Sequence, residues 1–402
     1  MNGKRGWSMF GKKWVWMALE DLTVAAAVRA WTTRNRGLQV TPVGMYSGRL
    51  PEELNRGLEP RDDALHPYES RLYWEWWYFD AQFEDGHRCV LELQYPNLLN
   101  PLARQCCMLF NVYTPDGRQL NNIVPFPASE WRASRETCDV AIGENTIRGY
   151  YTEYRVNFRH GNLACDLVFT NLLPGWTRGT GEVMFGRPEK KRVFGWVVAQ
   201  PRARVEGTLT VDGETRSVSG LGYHDHNWGN AFLPLYVSHW IWGRLFHERL
   251  TMIFADVHTS RRCGEVRIPV LFLALDDRIV LESSRVDFRV RDYRRDARGY
   301  QVYPAEVEFS FSERDVSGKF HLRVKEEMEA VLTLADRLPA PALKLFGKAV
   351  AGPAYYRFLS DYRGSVRVGG ERLEPAGETH WEYMILSLRC GQVPGPGVTL
   401  PL

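Results

Sequence analysis

Between residues 85 and 215 the chain is a succession of short strand-like runs closed by turn residues, with almost nothing at helical period. Cys89–Tyr95, Met108–Tyr113, Arg148–Phe158 and Cys165–Asn171 have strand composition. Asp85-Gly86, Pro115-Asp116-Gly117, His160-Gly161-Asn162 and Asp212-Gly213 carry turn chemistry: glycine accepts positive φ, and Asp or Asn bonds its own backbone. This rhythm specifies an antiparallel sandwich or barrel. It resumes in Trp240-Ile241-Trp242, Thr251–His258, Val270–Leu275, Val286–Val290, Glu306–Phe311 and Lys319–Val324, and ends with His380–Leu388. The expected fold is mainly β, in two units, 69–215 and 216–402, meeting near Asp212-Gly213 and the glycines up to Gly222. Two helical exceptions are expected. Residues 7–31, within an N-terminal segment 1–35, put Trp7, Phe10, Trp14, Met17 and Leu22 near one face, and a connector rich in Gly, Pro and charge follows at 36–68. Residues 337–362 space Leu343, Leu345, Phe346, Val350, Tyr355, Phe358 and Leu359 as a helical insertion divided near Pro353.

Net charge over 402 residues is only +3, with basic and acidic residues interspersed. Phosphate binding needs a concentrated basic face, so nucleic acid is not an expected partner. Aromatics stand out: 14 Trp, 18 Tyr and 19 Phe. Rings of this kind suit sheet faces and the walls of pockets for apolar ligands. The seven cysteines include no Cys-x-x-Cys pair, which points to reduced thiols in a cytoplasmic protein rather than disulfides or a zinc site. The apolar run from Trp14 is broken by Glu20-Asp21, which excludes an ordinary transmembrane span. The helix at 7–31 is expected either to strap onto its own protein or to touch a membrane peripherally. A monomer is expected.

One stretch is unlike any ordinary core strand. In Tyr223-His224-Asp225-His226-Asn227-Trp228-Gly229 there is no aliphatic side chain. If extended, it sets His224, His226 and Trp228 on one face and Tyr223, Asp225 and Asn227 on the other. Either the stretch is a hydrogen-bonded corner that pins sheets together, or one face looks into a ligand cavity. Tyr73-Trp74-Glu75-Trp76-Trp77-Tyr78-Phe79 is its aromatic counterpart. Glu75 among these rings is a satisfied structural carboxylate or a functional one with a raised pKa.

Asp256 lies in Phe254-Ala255-Asp256-Val257-His258, flanked by apolar residues. A carboxyl among aromatics has its charged form disfavoured and can stay protonated near neutral pH, as protonation of an alkene requires. Trp228, Trp240 and Trp242 would stabilise a developing cation through their π faces. Dinucleotide, phosphate-loop and Gly-x-Ser-x-Gly patterns are absent. His224 and His226 with a remote carboxylate form the one metal arrangement to weigh, but a lone His-x-His is unspecific. Neither metal nor cofactor is expected.

Glu75–Phe79 and Tyr223–Gly229 together resemble the carotenoid 1,2-hydratase (hydroxyneurosporene synthase) superfamily, which includes kievitone hydratase and decalin-forming Diels–Alderases. The resemblance covers about 60–390 and implies two lipocalin-like β domains. It also implies a His-x-Trp (His226-Asn227-Trp228) acting with a Tyr-x-Asp, here Phe254-Ala255-Asp256. Phenylalanine in place of tyrosine removes a hydroxyl that would position water, which favours cyclisation over hydration. The expected protein is therefore a cofactor-independent enzyme acting on an isoprenoid or polyene. Asp256 would be the general acid and His226 its partner. Trp228, Phe254, Trp242, Trp240, Tyr223, His224, Glu75 and Trp76 would bind substrate. A pericyclase working by positioning alone and a non-catalytic isoprenoid carrier are the alternatives.

Overall fold

A computed structural model of the chain describes residues 51–96, 105–185, 192–297, 301–332, 353–386, 393–395 and 398–399. The described part is mainly β, in two sheets of 12 and 11 strands. The first runs from Gln119–Phe126 at one edge, through Cys106–Tyr113, Arg88–Tyr95 and Trp74–Phe83, to Glu214–Gly229 and Arg192–Val211 at its centre. It then continues through Leu163–Asn171 and a meander to Trp131–Ala133. The second has Val237–His247, Leu250–Thr259 and Val266–Leu275 on one side. On the other lie Ala376–Ile385, Ala354–Val368, Val316–Leu332, Val302–Glu313 and Val286–Arg295. Pairing is antiparallel throughout, apart from a short parallel contact of Val266 and Arg267 with Val398 and Thr399. The hairpin turns read from the sequence fall at Asp85-Gly86, Asp116-Gly117, Gly161 and Asp212-Gly213, each between paired strands.

Each sheet curls around its own apolar core. Trp77, Phe79, Leu91, Phe110, Tyr154 and Phe169 fill the first; Phe254, Leu273, Phe309, Phe320, Phe358 and Trp381 fill the second. A third cluster, including Tyr78, Trp176, Tyr223, Trp242, Ala255 and Phe272, lies where the sheets face one another. Strands covered on both sides, such as Leu250–Thr259 and Val266–Leu275, are therefore mostly apolar with little alternation. Burying each of these large side chains contributes about 1.5–3 kcal/mol, and the inter-sheet cluster ties the two units into one body.

Three expectations change. The strand Glu214–Gly229 belongs to the first sheet, hydrogen-bonded between Trp74–Phe83 and Arg192–Val211. The chain therefore passes to the second sheet between Gly229 and Val237, later than the expected 215/216 boundary. Residues 354–362, expected to be helical, are strand: Ala354, Tyr356 and Phe358 face the second core, while Tyr355, Arg357 and Leu359 face the other sheet. Both faces are covered, so the run lost its alternation and mimicked helical spacing. The segment 51–68 is not a loose connector; Pro60–Asp63 forms a helical turn that places the Asp63 side chain in the first core. The N-terminal helix at 7–31 and residues 337–352 of the helical insertion lie outside the described residues. Among those described, no helix is long and apolar enough to cross a membrane, and the six described cysteines are free and buried.

Candidate functional site

The strand Glu214–Gly229 carries two different polar faces, and each has its own use. His224, His226 and Trp228 point into the first sheet. His224 stacks on Phe79 at 3.8 Å between centroids. It donates from Nδ1 to the Tyr78 carbonyl (2.9 Å) and meets Asp63 Oδ2 through Nε2 (2.9 Å). His226 stacks on Trp77 (4.1 Å), with Nε2 2.7 Å from Glu75 Oε1 and Nδ1 3.3 Å from Asp63 Oδ1. Trp228 lies flat on His66 at 3.7 Å and close over Gly195, where a Cβ would fall 2.0 Å from its ring. Burial opposes charge on these groups, yet mutual pairing wins. The Asp63 carboxyl is held far below the usual range by its histidines. The Glu75 carboxyl is lowered by His226, His66 and Tyr73, and His226 is raised by Asp63 and Glu75. This face is the hydrogen-bonded corner. His66, Glu75 and His226, and likewise Asp63, Cys138 and His224, have ligand atoms close enough to hold a cation; both His224 nitrogens and His226 Nε2 already meet a carbonyl or a carboxylate, whereas Nδ1 of His66 and of His226 makes no hydrogen bond among the described residues.

The opposite face looks into a cavity of about 550 Å³ between the sheets, lined mostly by apolar atoms. Strand registers arrange its walls in levels. Trp76 pairs with Asn227 and Gln94, Trp240 with Met384 and Val257, and Tyr355 with Met384 and Val331. One step deeper, Tyr78 pairs with Asp225 and Glu92, Trp242 with Glu382 and Ala255, and Arg357 with Glu382 and Glu329. All these side chains line the cavity. A further step down, Asp80, Arg244 and His380 close the end: Arg244 Nε donates to Asp80 Oδ1 (2.8 Å), and His380 Nε2 lies 3.2 Å from Asp80 Oδ2. The throat is aromatic and aliphatic; the floor is a ring of ionisable groups.

The floor groups differ in partnership. Arg357 donates to Tyr78 Oη (2.9 Å) and Tyr355 Oη, pairs with Glu382 (2.8 Å), and has Glu329 at 3.8 Å. Glu329 also accepts from Tyr113 Oη (2.9 Å) and Asn111. Asp225 accepts from Trp196 Nε1 (2.9 Å) and Tyr223 Oη (2.8 Å) at Oδ2, and from Asn227 Nδ2 (3.0 Å) at Oδ1. Burial pushes its carboxyl up to about 7, the Trp196 and Tyr223 hydrogen bonds restraining the rise. Glu92 accepts no hydrogen bond among the described residues; burial, with the charges of Glu382 and Asp225 added, pushes it up to about 8.

These positions revise the expected site. Trp76, Trp240 and Trp242 line the cavity, and Tyr223 supports it through Asp225. Glu75, His224, His226 and Trp228 face the first core instead, and Phe254 is in the second core. Asp256 points away from the cavity; its strand neighbours Ala255 and Val257 line it. Although buried, the Asp256 carboxyl is lowered, not raised, because His258 (2.9 Å) and Arg267 (2.6 Å) pair with it and outweigh desolvation. Glu92, Arg357 and Glu382 were missed, yet each is a single charge inside an apolar run: Cys-Val-Leu-Glu-Leu, Tyr-Tyr-Arg-Phe-Leu and His-Trp-Glu-Tyr-Met. Charges set into apolar runs in this way are rare without a purpose.

Fold and cavity together define a class, that of two-sheet antiparallel β proteins with an acid-bearing apolar chamber between the sheets. The chain belongs to the AttH-like family, whose pattern matches residues 127–333. It is similar to the hydroxyneurosporene dehydrogenase of Chlorobaculum tepidum, 36% identical over 283 residues covering 60% of this chain and 71% of that protein. This bears out the family resemblance drawn from the sequence. The ceramide-binding protein svf1 of Schizosaccharomyces pombe is 25% identical over 313 residues, 72% of this chain and 79% of that one. The crystal structure of kievitone hydratase from Nectria haematococca matches with a TM-score of 0.56 over 87% of this chain and 99% of that one. At 16% identity this is a likeness of fold.

Proposed function

We propose that this chain is an enzyme that protonates an apolar isoprenoid or polyene held between the two sheets, giving a cyclised or hydrated product. One observation carries the reading: Glu92 places a carboxyl without a hydrogen bond on the cavity floor, pushed up to about 8 by burial and its carboxylate neighbours. Such a group is largely neutral at pH 7 and can give its proton to an alkene carbon. In that step the Glu92 O–H bond breaks and a C–H bond forms. The π electrons make the new bond, leaving a carbocation and a Glu92 carboxylate, which the neighbouring charge of Arg357 favours. The faces of Trp76, Trp240 and Trp242 line the space for the cation. Loss of a proton to Asp225 then gives a cyclised alkene; attack by water, with its proton passing to Asp225, gives an alcohol. Asp225 accepts hydrogen bonds from Trp196 and Tyr223 that favour its ionised form, and Glu92 has none, which assigns the base to Asp225 and the proton to Glu92.

The lining and the likeness to a ceramide-binding protein favour a second reading, a carrier that holds a lipid unchanged. Turnover of linear isoprenoids in deuterated water separates the two. One new carbon-bound deuterium in the product supports proton transfer. An isomerised product without deuterium means catalysis by positioning, and quantitative recovery of unchanged ligand means a carrier. The free buried thiols support a cytoplasmic setting.

A further inference from the structure

The cavity floor carries more acid than base. Glu92 and Asp225 are in register with Tyr78, Glu329 and Glu382 with Arg357, and all four carboxyl groups line the cavity. Arg357 is the one guanidinium among them, 2.8 Å from Glu382 and 3.8 Å from Glu329. Of the other lining arginines, Arg71 is exposed to solvent. Arg178 is buried between Trp176 and Gly179, which both donate to Glu282 (2.9 and 3.2 Å), so it has a carboxylate of its own nearby. Two of the floor carboxyls can be reached from the cavity. Glu92 and Glu382 each keep part of their surface accessible although protein surrounds them on all sides, so that surface faces the interior. Glu382 is held by Arg357, whereas Glu92 has neither a hydrogen bond nor an ion pair among the described residues. One level above, Trp76, Trp240 and Tyr355 also present accessible ring surface to the cavity. One guanidinium cannot compensate four carboxylates in a desolvated place, and a further cation completes the balance.

We infer that the cavity is also a receptor for lipophilic amines, with the ammonium head beside Glu92 and Glu382, the rings of Trp76, Trp240 and Tyr355 around it, and the apolar tail in the throat. The inference rests on the cavity being the ligand site, as in the reading above, and on no step of chemistry there. Charge selects this class. A neutral head leaves the acidic excess uncompensated, and a carboxylate or phosphate adds to it. An ammonium supplies the missing positive charge, and aromatic faces around it add cation–π attraction. It also carries the charge of the carbocation proposed above, so the features that suit one suit the other.

The test compares dodecyltrimethylammonium, the isosteric hydrocarbon with carbon in place of nitrogen, and dodecanoate. Binding is followed by tryptophan fluorescence of the full chain, below the micellar concentration of either soap. The cation is expected to bind at least about tenfold more tightly than the hydrocarbon, and more tightly than dodecanoate. Glu92→Gln changes a side chain with no protein partner. It is expected to bring the cation to within about threefold of the hydrocarbon and to leave the hydrocarbon's own affinity within about twofold. Trp240→Leu is expected to weaken the cation about threefold more than the hydrocarbon. Equal binding of cation and hydrocarbon, tighter binding of dodecanoate than of the cation, or a cation preference that neither variant reduces overturns the inference. The proton-transfer reading fails separately, when isoprenoids incubated in deuterated water gain no deuterium. A cavity that binds the cation without such incorporation keeps this inference and loses that reading.

Discussion

Glu92 and Asp225 stand on the two strands that flank Trp74–Phe83, and both are in register with Tyr78. With strands about 4.8 Å apart, their backbones are separated by roughly two strand spacings, and their side chains rise from the same level on the same face. The proposed acid and base are thus placed by sheet register, independent of any loop.

This pairing predicts a bell-shaped pH profile. The proposed reaction needs Glu92 protonated and Asp225 ionised, so its rate is expected to fall as pH drops through about 7 and as it rises through about 8. Because the two groups interact, the profile reports values belonging to the pair. Glu92→Gln is expected to lower kcat by about 10²–10⁴-fold and to abolish the alkaline limb. Asp225→Asn should flatten the acid limb. An unchanged profile in both variants would falsify the assignment.

Asp256→Asn is expected to retain turnover within a few fold, since Asp256 faces away from the cavity. Its effect should be on stability, because Arg267 loses a charged partner; about 1.5–3 kcal/mol is the scale for a hydrogen bond to a charged group. Urea midpoints and kcat measured on the same preparation separate the two outcomes. A loss of kcat without loss of stability would return Asp256 to the chemistry.

The Asp63 cluster makes stability depend on pH in a definite sense. The raised His226 stabilises below its unfolded value, near 6.5, and this is lost as pH rises through the folded value; the depressed Asp63 stabilises above about 3.9 and loses this as pH falls. Asp63→Asn is therefore expected to destabilise by about 3 kcal/mol where His226 is charged. Denaturation at pH 5.5 and pH 8.5 should show the larger penalty at pH 5.5.

Arg244 and Asp80 pair behind the cavity floor, buried and with the Asp80 carboxyl lowered by Arg244 and His380 against the pull of burial. Arg244→Met leaves a buried carboxylate and is expected to cost about 3–5 kcal/mol at neutral pH. The penalty should shrink as pH falls, because without Arg244 burial raises the Asp80 carboxyl and it takes up a proton in the variant. The double change Asp80→Leu with Arg244→Met should recover most of the loss; additive losses would mean that the pair is not the cause.

Much of this was legible in the sequence. Turn residues at Asp85-Gly86 and Asp212-Gly213 marked hairpins that exist, and period two sorted His224, His226 and Trp228 from Tyr223, Asp225 and Asn227 correctly. Alternation says which residues share a face, however, and is silent about what each face meets. His226 and Asp225 are equally polar, and only the pairing with Trp74–Phe83 shows that the imidazole side meets Trp77 and the carboxylate side meets the other sheet. Asp256 failed for a similar reason: its apolar sequence neighbours suggested desolvation, while Arg267, eleven residues on and brought alongside by an antiparallel strand, determined its charge. Tyr355–Leu359 read as helical because a strand covered on both faces has no polar side to betray it.

The divided strand at 214–229 has a consequence for how such a protein can change. A slip of one residue would carry two imidazoles into the chamber and a carboxylate into the first core, so the contacts of His224 and His226 hold the whole strand in step. With the alignment guaranteed from behind, the positions in front are mechanically released. Asp225 and Asn227 can be exchanged for other chemistries without renegotiating the fold, making this strand a fixed mount with an interchangeable working edge.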